Sequence, residues 1–105
     1  MAEVTDSTMT ILKKYVKELE KNHLQIRSAI LFGSYAKGNH HEWSDMDIAL
    51  VSDDFQGIRF YDRQRIARIT IDVDSRISPF PYKTKDFTKE DIFVEEILKT
   101  GVRIV

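Results

Sequence analysis

The chain has 105 residues, no cysteine, and a 31% share of charged residues whose signs nearly cancel, to a formal net charge of −1. That length suits one domain spanning residues 1–105, with a single core of three or four strands and a few helices. The missing cysteine excludes a disulfide framework and a thiolate metal site, and the charge balance argues against unspecific nucleic-acid binding. With no apolar stretch of membrane-spanning length and no signal-peptide pattern, a soluble cytoplasmic protein is expected.

In chain order, Met1 to Val4 are expected to be loose, and Asp6, Ser7 or Thr8 can cap a helix running to about Lys21. Ile11, Leu12, Tyr15, Val16 and Leu19 share one face of it at helical spacing, and Asn22-His23 is a plausible stop. Leu24 to Phe32 leads into a first strand. Its apolar run breaks at Gly33-Ser34 and should re-form as a short helix that ends at Gly38. Gly33 lets the backbone turn sharply and approach a ligand, while Ser34 can give both its N–H and its hydroxyl to a phosphate oxygen. Lys37 either screens phosphate charge or lies in solvent.

The spacer Asn39-His40-His41-Glu42 carries two adjacent histidines that do not face the same way on a regular element, so solvent exposure is expected rather than metal ligation. Trp43 is expected to shield the mouth of the site or pack on the sheet. A second apolar run, Met46 to Val51, then opens with two carboxylates at Asp45 and Asp47. Residues i and i+2 of a strand point to one face, about 7 Å apart, so these acids look one way while Met46, Ile48 and Leu50 look into a core. Neighbouring acids repel unless a cation sits between them, and oxygen-only ligands with open positions suit Mg²⁺ bound to a nucleoside triphosphate. A phosphate-gripping turn beside a metal-binding pair is the outline of a phosphoryl-transfer site.

Beyond this unit, Asp53 and Asp54 read as a turn or helix cap, and Phe55 to Arg68 as a loop plus a short amphipathic helix studded with Arg59, Arg63, Arg65 and Arg68. Any one of these arginines is expected to be solvated, although one of them could reach a triphosphate. Arg68 to Ser78 alternates as a third strand, with Ile69, Ile71, Val73 and Ile77 on one face and Thr70, Asp72, Asp74, Arg76 and Ser78 on the other. Pro79-Phe80-Pro81-Tyr82 cannot be a central strand. Thr88 with Asp91 resembles a capping box for a helix from Lys89 to Thr100, burying Phe93, Ile97 and Leu98 with Ile92 nearby. Gly101 is its natural stop, and Val102 to Val105 can add a short strand.

The motif Gly33-Ser34-Tyr35-Ala36-Lys37-Gly38 followed by Ser44-Asp45-Met46-Asp47 resembles the signature of the minimal nucleotidyltransferases, within the DNA polymerase β-like superfamily. The resemblance implies an α/β (α+β) fold, a small mixed sheet with helices mainly on one face. It implies transfer of a nucleoside monophosphate, AMP from ATP, to an acceptor hydroxyl with Mg²⁺ or Mn²⁺ as cofactor. Gly33, Ser34 and Lys37 would then bind the nucleotide, and Asp45 and Asp47 would hold metal. The resemblance further implies a third carboxylate on the neighbouring strand, acting with the metal to activate the acceptor. Asp74 is the candidate for that role and Asp72 its alternate. In such relatives an acid stands directly before a proline in this region, where this sequence has Ser78-Pro79; if Ser78 fills the third slot, the site is one negative charge short. Minimal members resemble the antitoxin of two-component systems whose partner is a helical HEPN toxin. The competing expectation is a non-catalytic module of the same scaffold that neutralises a partner by contact alone.

Overall fold

The computed structural model describes residues 4–38 and 44–105. Helix α1 (Asp6–Lys21) is capped one residue before the earliest expected position, by Thr5, whose side chain accepts from the Thr8 N–H. Leu12, Tyr15, Val16 and Leu19 are buried along it, as the helical spacing anticipates. Strands β1 (Ser28–Phe32) and β2 (Met46–Ser52) flank a one-turn helix α2 (Ser34–Lys37). Helix α3 (Arg59–Val73) leads to strand β3 (Ile77–Lys83), a 3-10 turn (Thr84–Asp86), helix α4 (Ile92–Thr100) and strand β4 (Val102–Arg103).

The four strands form one mixed sheet in the order β3-β2-β1-β4. β1 pairs antiparallel with β2 and β4, while β2 and β3 run parallel. Alternation along the strands sorts the side chains between two faces. Ala29, Leu31, Met46, Ile48, Leu50 and Ile77 meet α1 and α3 in the larger core. Ile30, Phe32, Ala49 and Tyr82 meet Val94 and Ile97 of α4 in the smaller one. The helices therefore lie mainly on one face, as expected, with α4 alone on the other.

The expected strand over residues 68–78 is not formed; its first half is the end of α3. Ile69, Ile71 and Val73 alternate, but Ile66 and Thr70 recur four residues apart, and that helical spacing governs burial. Ile71 is left 66% exposed. A long-range contact secures the helix: Thr70 donates to the Ile66 carbonyl and shares a 2.6 Å hydrogen bond with the Tyr15 hydroxyl of α1. Burial pushes the Tyr15 phenol up to about 12, so it stays protonated at neutral pH. The third strand instead begins at Ile77 and includes both prolines. It is an edge strand, and Pro79 and Pro81 share a parity that turns their missing N–H groups toward the open side.

Helix α4 starts three residues later than expected, capped by Asp91, whose carboxylate accepts from the Phe93 and Val94 N–H groups. Ile97 is buried as expected, with Val94 beside it; Ile92 is instead 86% exposed, and Phe93 and Leu98 are only partly covered, at 44% and 41% exposed. Gly101 does end the helix, but not through a left-handed turn. A β-carbon there would lie 2.5 Å from both Ile30 Cγ2 and the Ile97 carbonyl oxygen, so glycine permits the close approach of α4 to β1.

Candidate active site

The site grows from the reversal between β1 and β2. After Phe32 the chain turns at Gly33, whose φ of 76° favours glycine, and enters α2. The Lys37 N–H bonds back to the Gly33 carbonyl, and the turn closes at Gly38 in the left-handed region. Because β1 and β2 are antiparallel, the start of β2 returns beside this bend, and Asp47 is the direct partner of Phe32. The Asp47 carboxylate leans onto the bare Gly33 α-carbon: a β-carbon built there would sit 2.6 Å from Asp47 Oδ2. The structure thus brings together Gly33, Ser34 and Asp47, three of the residues expected to share one site.

Asp45 precedes β2 and is exposed, while Asp47 is half-buried. Burial, and then the charge of Asp45, hold the Asp47 carboxyl above the ordinary carboxylate range. An acid whose proton affinity is raised by partial burial and by a neighbouring carboxylate is relieved by a cation. The donor set fits a hard divalent ion: carboxylates at i and i+2 with open positions, and a glycine cradle that keeps side chains away from Asp47 Oδ2.

Asp74 and Asp72 do not join this pair. Asp74 is the C-terminal cap of α3 and is gripped by Arg76, which donates to it from the side chain at 2.8 and 3.0 Å and from the backbone at 2.9 Å. Those bonds hold its carboxyl below the usual range. Asp72 is exposed on α3, 3.7 Å from Arg68. Among the described residues, no group of three or more histidine, cysteine, aspartate or glutamate side chains is placed to hold a metal ion. The parity argument that put Asp74 on the site face fails because residues 69–73 are helical. The register instead sets Ser78 opposite Asp47.

Asp74 thus has a structural assignment, through Arg76, which also reaches the Tyr35 hydroxyl of α2 at 3.5 Å. Asp74→Asn is expected to lower stability by about 0.5–1 kcal/mol at neutral pH, allowing for the solvent around Arg76. A carboxyl held low contributes stability that is present above its unfolded value and lost as pH falls through its folded one. The difference between wild type and variant should therefore shrink in acid, which thermal melts between neutral pH and pH ~3 would show. A gap that widens in acid would refute the assignment.

Lys37 lies exposed at the end of α2. His40, His41, Glu42 and Trp43 lie outside the described residues. Of the four arginines, Arg65 donates to the Asp54 carbonyl and Arg68 pairs with Asp72. Arg59 stands over the Phe80 and Tyr82 rings at 5.6 and 5.2 Å, and Arg63 is 6.0 Å from Phe80. Sequence reasoning missed the aromatic wall behind Asp47, in which Phe32 packs edge-on to Phe80 and Phe93 at 5.1 and 5.6 Å. The signal was the alternation Ser78, Phe80, Tyr82, discounted because of the prolines between them.

Comparison with known proteins shows the family. The model of the nucleotidyltransferase domain matches residues 10–104, almost the whole chain. The chain belongs to the nucleotidyltransferase domain family. Among relatives of this nucleotidyltransferase is MJ0141 of Methanocaldococcus jannaschii, which bears the name of a protein adenylyltransferase. It is 31% identical over 101 residues, covering 90% of this chain and 95% of the relative. MJ1215 of the same organism, similarly named, is 50% identical over 38 residues, or 36% of this chain and 43% of its own. Of solved structures, a toxin–antitoxin complex with AMP-PNP superposes with a TM-score of 0.59 at 21% identity, covering 92% of this chain and 72% of that one. A mutant of the toxin–antitoxin pair MntA-HpeT gives 0.57 at 21% identity, with 89% and 71% covered. These structural likenesses establish the fold. No helix among the described residues is long and apolar enough to cross a membrane.

Proposed function

We propose that this nucleotidyltransferase transfers AMP from ATP to an acceptor hydroxyl on a partner protein. The observation that carries the proposal is the Asp47 carboxylate seated on the Gly33 bend. A bend that presents backbone N–H groups grips the β and γ phosphates, and the adjoining acids place a cation where the α-phosphate must lie. The acceptor oxygen bonds to the α-phosphorus, the bond to the β-phosphate oxygen breaks, pyrophosphate leaves, and the hydroxyl proton passes to water. Asp45 and Asp47 would hold Mg²⁺ or Mn²⁺, which supplies neutralisation of the phosphate charge and in-line alignment. Gly33 and Ser34 hold the tail of the nucleotide, and Lys37, exposed beside them, screens its charge.

Support for a protein acceptor comes from the name carried by the relative that matches over nearly its full length. Support for a toxin–antitoxin setting comes from the complexes that share the fold. The partner we expect is a helical HEPN-type toxin met in the cytoplasm. A second reading is favoured by one observation: the neighbour of Asp47 on β3 is the neutral Ser78. In that reading the chain retains the scaffold and silences its partner by contact alone.

Intact-mass measurement of a co-purified helical partner, after incubation with ATP and Mg²⁺, decides between the two. Transfer predicts a gain of one or more AMP groups on the partner. An unchanged mass, with the complex still formed, would leave the contact reading in its place.

A further inference from the structure

We infer that Ser78 limits this centre to a single divalent cation, an inference that rests on the nucleotidyl-transfer reading above. The parallel register pairs Met46 with Ile77 and Asp47 with Ser78. Met46 and Ile77 both face the larger core, so Asp47 and Ser78 both face the opposite side. Neighbouring strands lie about 4.8 Å apart, which makes residue 78 the position on β3 from which a side chain reaches a cation held by Asp47.

Charge counting gives this position its weight. A pair of divalent cations about 3.5–4 Å apart needs anionic donors to offset their mutual repulsion. The triphosphate brings its own negative charge to the ion that accompanies it, which Asp45 and Asp47 also hold, so an acceptor-side ion depends on a further anionic donor from the protein. A second ion beside Asp47 on the β3 side meets a serine hydroxyl, a neutral ligand that offsets nothing. Among the described residues, the two acids considered for the third position are engaged with arginines: Asp74 with Arg76 at 2.8 Å, and Asp72 with Arg68 at 3.7 Å. The ion that accompanies the triphosphate is retained; the one that would bind the acceptor oxygen has no charged anchor on β3.

The test counts ions. Bound Mn²⁺ is measured by electron paramagnetic resonance during titration in the presence of α,β-methylene ATP, which cannot transfer its nucleotide. One Mn²⁺ per chain is expected for the wild type and for Ser78→Asn, which matches aspartate in size but not in charge. Two are expected for Ser78→Asp, with transfer accelerated roughly tenfold or more because an acceptor-side ion is gained. Ser78→Glu serves if thermal melting shows the aspartate variant to be unfolded. Two ions in the wild type, or one in every folded acidic variant, would overturn the inference and leave nucleotidyl transfer standing. No ion bound with nucleotide would overturn both.

Discussion

Asp47→Asn is expected to abolish nucleotide transfer, lowering the rate at least about a thousandfold, while the domain remains folded. In the proposed reading, loss of the carboxylate removes one of the two acids that would hold the cation, and a thousandfold corresponds to about 4 kcal/mol of transition-state stabilisation. The stability side of the prediction follows from the raised proton affinity of Asp47, caused first by burial and then by Asp45. A carboxyl with a raised folded value favours the folded state when protonated. Its ionisation opposes folding as pH climbs from the unfolded value to the folded one, and the opposition persists above that. Asparagine never ionises, so at neutral pH the variant should melt at the same temperature as the wild type or higher. Labelled-ATP turnover and a thermal melt, run on the same preparation, check both halves. A variant with undiminished turnover would dismiss the site, and one that melts well below wild type would mean that Asp47 is structural.

Gly33→Ala is expected to damage the same site by geometry rather than charge. The added methyl would lie 2.6 Å from Asp47 Oδ2, far inside van der Waals contact, so the carboxylate must swing away. At φ 76° and ψ −152°, a region essentially reserved for glycine, an alanine also strains the backbone, by about 1–3 kcal/mol. A displacement of about 1 Å at a reacting centre costs on the order of a hundredfold in rate. We therefore expect turnover to fall about a hundredfold, nucleotide affinity to fall with it, and stability to fall by about the strain energy. Steady-state kinetics with ATP titration would measure the first two. Wild-type kinetics in a folded Gly33→Ala protein would show that the bend and Asp47 do not act together.

Local chemistry explains which parts of this molecule are legible in its sequence. Helix α1 declares itself through a stripe at helical spacing, and the β1-bend-β2 unit through apolar runs broken by Gly33-Ser34 and led by Asp45 and Asp47. The partners there belong to one strand-bend-strand unit and are close in sequence. Residues 59–83 are not legible in this way. Ile69, Ile71 and Val73 fit a strand or a helix equally well, and the choice is made by Thr70 meeting Tyr15, a contact across 55 positions. The penalty for proline in a central strand hid β3, which sits at the edge, where that penalty lapses. Asp74 followed from the misplaced strand: once residues 69–73 are helical, it becomes a cap held by Arg76, and the register of β3 brings Ser78 to Asp47. The third position of the site depends on how two distant strands align, which alternation within one strand does not specify.

The account depends on the acids at 45 and 47 and the bend at Gly33 acting as one receptor for a cation and a triphosphate. Calorimetric titration of ATP into the wild-type chain, with Mg²⁺ and then with excess chelator, and repeated on Asp45→Asn and Asp47→Asn, tests this most directly. The account predicts saturable binding of ATP that requires the divalent ion and is lost in both variants. Equal binding with and without the ion, or binding unchanged in folded Asp47→Asn, would contradict it.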